Sequence, residues 1–108
     1  MKKIIVTGAN GQLGRAVNLQ YADSTEYELI NTDVEELDIT SIDKVMEFVR
    51  DVRPYAVINC AAYTAVDACE KEEDLAFRIN ALGARNLSIA AGETGAKLMH
   101  VSTDYVFD

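Results

Sequence analysis

Gly8-Ala9-Asn10-Gly11-Gln12-Leu13-Gly14 is the run with the clearest chemistry in these 108 residues. It follows the apolar stretch KIIVT at 3–7 and precedes Leu13, Ala16 and Val17 at helical spacing. A glycine turn between a strand and a helix can cradle a pyrophosphate on backbone N–H groups at the positive end of the helix. The spacing is GxxGxxG rather than GxGxxG. Gly8 permits the sharp turn, Gly11 lets backbone approach the pyrophosphate, and Gly14 lets the helix pack close to the sheet. A glycine-rich turn without a ligand is the competing reading; the strand before and helix after favour dinucleotide binding.

Asp33 lies at the end of a second apolar run, 19 residues after Gly14. A carboxylate there can accept hydrogen bonds from adenosine ribose hydroxyls. Glu35, Glu36 and Asp38 follow, and residues 31–40 hold no Lys or Arg. Such a segment repels a 2′-phosphate, which favours NAD(H) over NADP(H), although Arg15 could reach that phosphate. Glu35 and Glu36 also read as a solvated acidic loop. Asn59-Cys60-Ala61-Ala62-Tyr63 ends a third apolar run, where small side chains would admit a cofactor or simply pack tightly. Ser102-Thr103-Asp104-Tyr105 follows a fourth; a hydroxyl at Thr103 could hold a carbonyl oxygen, and a Ser/Thr turn explains it as well.

The elements that must position these groups alternate. Strands are expected at 3–7, 27–32, 56–62 and 97–102. Helices are expected over 12–22, 41–53 and 72–93. The second helix would bury Ile42, Val45, Met46, Val49 and Val52, with Thr40 and Asp43 as its capping box and Pro54 beyond its end. The third would turn Leu75, Ile79, Leu82 and Ala90 inward, with Gly92 and Gly95 as stop signals. Apolar strands alternating with amphipathic helices imply an α/β fold with a parallel sheet covered on both faces. The expectation is a Rossmann-type doubly wound sheet, its first four strands in the order 3-2-1-4. Thr103 would then face the glycine loop across the point where the order reverses.

Composition bounds the function. Ten Lys and Arg against 18 Asp and Glu give a net charge of −8, and 49% of residues are hydrophobic. Disorder is excluded by the apolar content, and nucleic acid and anionic membranes are poor partners for this charge. No apolar run approaches a membrane span, and the N-terminus lacks a signal-peptide pattern, so a cytoplasmic location is expected. Cys60 and Cys69 lack metal-ligand spacing and read as buried free thiols; no structural metal is expected. The fourth strand would leave an open edge near Leu98 and Val101, which predicts a fragment that forms a homo-oligomer through that edge.

TGANGQLG, LDIT, NCAAYTAVDACE, RINALGARNL and VSTDYVFD together resemble the extended short-chain dehydrogenase/reductases, specifically the dTDP-4-dehydrorhamnose reductase family, over nearly the whole chain. The resemblance implies reduction of the 4-keto group of dTDP-4-dehydro-L-rhamnose by NAD(P)H, giving dTDP-L-rhamnose for cell-surface polysaccharide. It implies a pyrophosphate loop of Gly8, Gly11, Gln12, Leu13 and Gly14, with Asp38 and Ile39 beside the adenine. Ala61, Ala62 and Tyr63 would lie along the ribose and nicotinamide, and Asn80 in the central helix. Val66, Asp67 and Asp104 would be on the substrate side, with Thr103 the catalytic hydroxyl.

One departure matters. The family's acid is the Tyr of a Tyr-x-x-x-Lys pair. Residues four places after Tyr21, Tyr27, Tyr55 and Tyr63 are Thr25, Asn31, Asn59 and Asp67. Residues 1–108 therefore read as the N-terminal part of an NAD(P)-binding domain, without the substrate domain and inactive alone. The alternative is a non-catalytic nucleotide-binding regulatory subunit resembling that of methionine adenosyltransferase. A free-standing receiver or flavodoxin-like module fits the glycine pattern poorly.

Overall fold

Alternating apolar strands and amphipathic helices give the expected layers. The computed structural model describes residues 1–33, 35–60 and 73–100. Its elements are β1 (Lys2–Thr7), α1 (Gln12–Gln20), β2 (Tyr27–Asn31), α2 (Ile42–Val52), β3 (Ala56–Asn59), α3 (Glu73–Thr94) and β4 (Lys97–His100). The strands form one parallel sheet.

Side-chain alternation along the strands divides the core in two. Ile4, Val6 and Ile58 point to one face, where Leu13 and Val17 of α1 pack against them. Ile5 and Val57 point to the other, with Val45 and Val49 of α2 and Leu87 and Ala90 of α3. Each Val, Leu or Ile side chain contributes about 1.5–3 kcal/mol on full burial. Ala16 is exposed, so α1 is anchored by Leu13 and Val17.

The strand order is β2-β1-β3-β4, which corrects the expected 3-2-1-4. The third strand pairs with β1, Thr7 opposite Asn59, and not with the far side of β2. Burial explains the placement. Val57 and Ile58 are 0% and 7% exposed, a demand that only a strand flanked and covered on both faces can meet. β2, with exposed Glu28 in its middle, suits an edge. After β2, the Glu36 and Leu37 N–H groups both donate to the Asp33 carbonyl, which turns the chain back at once. The order of strands therefore reverses between β1 and β3, and the end of β3 is the immediate neighbour of the glycine loop.

Helix boundaries show smaller differences. Ser41, one residue beyond the expected cap, accepts from the Lys44 N–H at 3.4 Å. Thr40 is occupied elsewhere, donating its hydroxyl to Asp38. Gly92 lies within α3, and Gly95 (φ 76°) supplies the left-handed residue that ends it. The inward stripe of α3 is Gly83, Asn86, Leu87, Ala90 and Ala91, while Leu82 is exposed. Ala90 was expected there; the side chains of Leu75 and Ile79 lie outside the described residues. Gly83 occupies the stripe where α3 lies close against Ile39 in the loop after β2.

Candidate functional site

The C-terminal end of β1 turns sharply at Gly8, whose φ of 64° suits glycine. The turn is tied to β2: the Ala9 N–H donates to the Thr32 carbonyl at 3.0 Å, and the Thr32 hydroxyl to the Val6 carbonyl at 3.0 Å. Gly11 is the N-cap of α1 and its N–H closes back on the Gly8 carbonyl at 3.1 Å. The first turn of α1 carries no acidic residue and no side-chain cap. The N–H groups of Gln12, Leu13 and Gly14 therefore lack intrahelical acceptors and face the end of β1 with the helix's positive potential.

Two glycines do different work. A Cβ on Gly14 would sit 2.5 Å from both the Ala9 Cα and the Gly8 oxygen, so only glycine lets α1 lie this close to the turn. A Cβ on Gly11 would meet the Gly8 oxygen at 3.4 Å, an ordinary contact. Space at Gly11 is thus not required by the fold itself.

Asp33 reaches this loop directly. Its Oδ2 accepts the Asn10 N–H at 3.1 Å, and its own N–H donates to the Glu36 Oε1 at 2.7 Å. The carboxylate thus stands beside the glycine turn at the end of β2, where the sequence places a ribose-binding acid. Asp38 is different. Its Oδ1 accepts both the Thr40 hydroxyl at 2.6 Å and the Thr40 N–H at 3.0 Å. These bonds, helped by Lys44, hold its carboxyl below the ordinary carboxylate range. Asp38 therefore shapes its own loop. Ile39, next to it, is half-buried and packs against the α2–α3 core.

Across β1, β3 and β4 runs a polar ladder. The Thr7 hydroxyl donates to the Asn59 Oδ1 at 2.5 Å, and the Asn59 Nδ2 meets the His100 Nδ1 at 3.0 Å. Thr7 and Asn59 are buried. Cys60 follows, its thiol buried and free, with burial pushing its pKa up. It is a packing residue beneath α1.

The fold thus gathers Gly8, Gly11, Gln12, Leu13, Gly14 and Asp33 in one place, with Asp38 and Ile39 in the adjoining loop and half-buried Asn80 on α3. Ala61, Ala62, Tyr63, Val66, Asp67, Cys69, Thr103 and Asp104 lie outside the described residues. Sequence reasoning missed Thr7, His100 and Asn86, and took Asn59 only as part of a segment of small residues, without its bonds to Thr7 and His100. A polar residue in an otherwise apolar stripe was the available signal for Asn59 and Asn86. No helix among the described residues is long and apolar enough to cross a membrane.

Comparison with known proteins bears on this geometry. The family model described as RmlD substrate binding domain matches residues 1–108. A dTDP-4-dehydrorhamnose reductase of Aggregatibacter actinomycetemcomitans is 43% identical over 100% of this chain, which spans 37% of that protein. The crystal structure of a dTDP-4-dehydrorhamnose reductase from Bacillus anthracis in complex with NADP is 49% identical, with a TM-score of 0.81 over 91% of this chain and 35% of its own. A weaker relative is methionine adenosyltransferase 2 subunit beta of Pongo abelii, 30% identical over 99% of this chain and 34% of that protein.

Proposed function

The chain belongs to the RmlD substrate binding domain family, and on that premise we propose that it forms the cofactor-binding part of an NAD(P)-dependent dTDP-4-dehydrorhamnose reductase. The observation that carries the reading is the Asp33 carboxylate on the Asn10 N–H beside the uncapped start of α1. A dinucleotide fits these residues. The N–H groups of Gln12, Leu13 and Gly14 would hold its pyrophosphate, the space at Gly11 would admit it, and Asp33 would accept from the adenosine ribose. Asp38 and Ile39 would flank the adenine, and Ala61, Ala62, Tyr63 and Asn80 the remaining length. When bound, the cofactor supplies the reducing equivalents for the 4-keto group.

Thr103 would hold the carbonyl oxygen of the sugar, with Val66, Asp67 and Asp104 on the substrate side. A tyrosine normally titrates near pH 10 and needs a neighbouring lysine to act as an acid near neutrality. The 108 residues contain no Tyr-x-x-x-Lys, so negligible turnover is expected from them alone. The chain spans about a third of these relatives' length, and the nucleotide-sugar site would need further residues. The reading places the protein in the cytoplasm, with a nucleotide sugar as partner; its net charge of −8 disfavours nucleic acid and membrane surfaces.

For the cofactor, the acidic 31–40 segment favours NAD(H). The exposed Arg15 and the NADP complex of the Bacillus anthracis relative favour NADP(H) as the second reading. Fluorescence titration with NADH and NADPH tests both. Tighter NADH binding is expected. An NADPH preference overturns the charge reading, and binding of neither overturns the cofactor site. The regulatory-subunit alternative rests on a lower identity, 30% against 43%. It would gain if the protein co-purified with a large partner enzyme and bound dinucleotide without turning over a keto-sugar.

A further inference from the structure

α3 meets the loop after β2 at one tightly built point. Asn86 is 1% exposed, and its Nδ2 donates to the Ile39 carbonyl at 2.9 Å. Its Oδ1 is also buried and has no hydrogen-bond partner among the described residues. Gly83, one turn earlier on the same face, lies so close that a Cβ there would fall 2.4 Å from the Ile39 Cδ1.

A buried amide with an unused acceptor is costly, and an apolar side chain of the same shape would avoid that cost. Leu87 and Ala90 fill the neighbouring inward positions in that way. The bond that Asn86 does make is to Ile39. From within, the loop is held by short-range bonds, Glu36 and Leu37 N–H on the Asp33 carbonyl and Asp38 on Thr40, and by Leu37 buried in the core. From outside, α3 fixes Ile39 by a hydrogen bond to its carbonyl and by close packing on its side chain.

We infer that Asn86, with Gly83 behind it, is a positioning residue for the adenosine end of the cofactor site. It holds Ile39 where an apolar wall can meet the face of the adenine ring, and it acts through Ile39 without touching the cofactor. The inference rests on the dinucleotide reading above. It predicts an effect confined to ligands that carry adenosine.

The test uses protein produced from the whole reading frame, with Asn86→Leu and Asn86→Asp variants. The probes are NADH, ADP-ribose, and reduced nicotinamide mononucleotide, which lacks adenosine. Loss of one hydrogen bond to the loop should weaken NADH and ADP-ribose binding about fivefold. Binding of the mononucleotide should stay unchanged in each variant that remains folded at the assay temperature. Equal losses for all three ligands, or none in a folded variant, overturn the role of Asn86 alone. Wild-type protein that binds neither NADH nor ADP-ribose overturns the dinucleotide reading and this inference with it. One measurement needs no variant: ADP-ribose should shift the Asn86 side-chain amide resonances of the wild type and nicotinamide mononucleotide should not. Absence of that difference also overturns it.

Discussion

A single methyl group separates the two kinds of glycine in the turn after β1. At Gly14 it would overlap the Ala9 Cα and the Gly8 oxygen at 2.5 Å. Gly14→Ala should therefore cost about 1–3 kcal/mol through forced separation of α1 from the turn. At Gly11 the same methyl meets an atom at 3.4 Å, and φ of −78° suits alanine. Gly11→Ala should cost about 1 kcal/mol or less, the difference between glycine and alanine as N-cap. Its larger effect should be on the dinucleotide, through the space it closes. Urea titration paired with NADH titration checks the split: stability should fall mainly at 14 and binding disproportionately at 11. Equal stability losses would mean that the fold, and not a ligand, requires both glycines. These residues were legible because turn chemistry is local. Asn86 was not, since its meaning depends on Ile39, 47 residues away. Likewise Asn59 gains its role from Thr7 and His100, 52 and 41 positions distant.

At the scale of elements, amphipathic spacing fixed where helices lie better than it fixed their ends. Thr40 and Ser41 are both plausible caps for α2, and the choice depends on Asp38, which engages the Thr40 hydroxyl. The two can be told apart. Ser41→Ala should cost about 0.5–1 kcal/mol, a fall in Tm of about 4–8 °C per kcal/mol for a chain of this size. Thr40→Val should leave the cap intact and release the Asp38 carboxylate instead. The folded pKa of Asp38 is depressed, so its contribution to stability is present above the unfolded value, about 3.9, and lost as pH falls through the folded one. Thr40→Val should remove that acid-side slope, and Ser41→Ala should keep it. Thermal melts of both variants between neutral pH and about pH 2 check the assignment. Strand order was harder to read. The uncharged run at 56–60, apolar but for Asn59, against the charge-interrupted Tyr27–Asn31 marks the third strand as central and the second as an edge. Counting strands along the chain misses that distinction, because position in a sheet follows from burial on both faces.

For the whole molecule, the uneven cover of the sheet has a measurable consequence. Leu98 packs on the α2–α3 side, but Met99 stands in register with Ile58, on the face that α1 covers only farther in, and is 60% exposed. Among the described residues, β4 is also the outermost strand of the sheet. An exposed apolar side chain beside unpaired strand N–H and C=O groups invites edge-to-edge pairing. The net charge of −8 opposes it, and salt relieves that opposition as the Debye length falls from about 10 Å at 0.1 M to about 3 Å at 1 M. The 108-residue chain should therefore self-associate more as protein and salt concentration rise, and Met99→Glu should shift it toward monomer. Sedimentation velocity across both series checks this; a monomer throughout would mean that the β4 edge is protected. Sequencing the reading frame past the codon for Asp108 sharpens the outcome. If it continues, a following parallel strand would pair at the same edge, and the longer product should lose the salt-driven association. Association that survives in it at full strength would have to come from another surface.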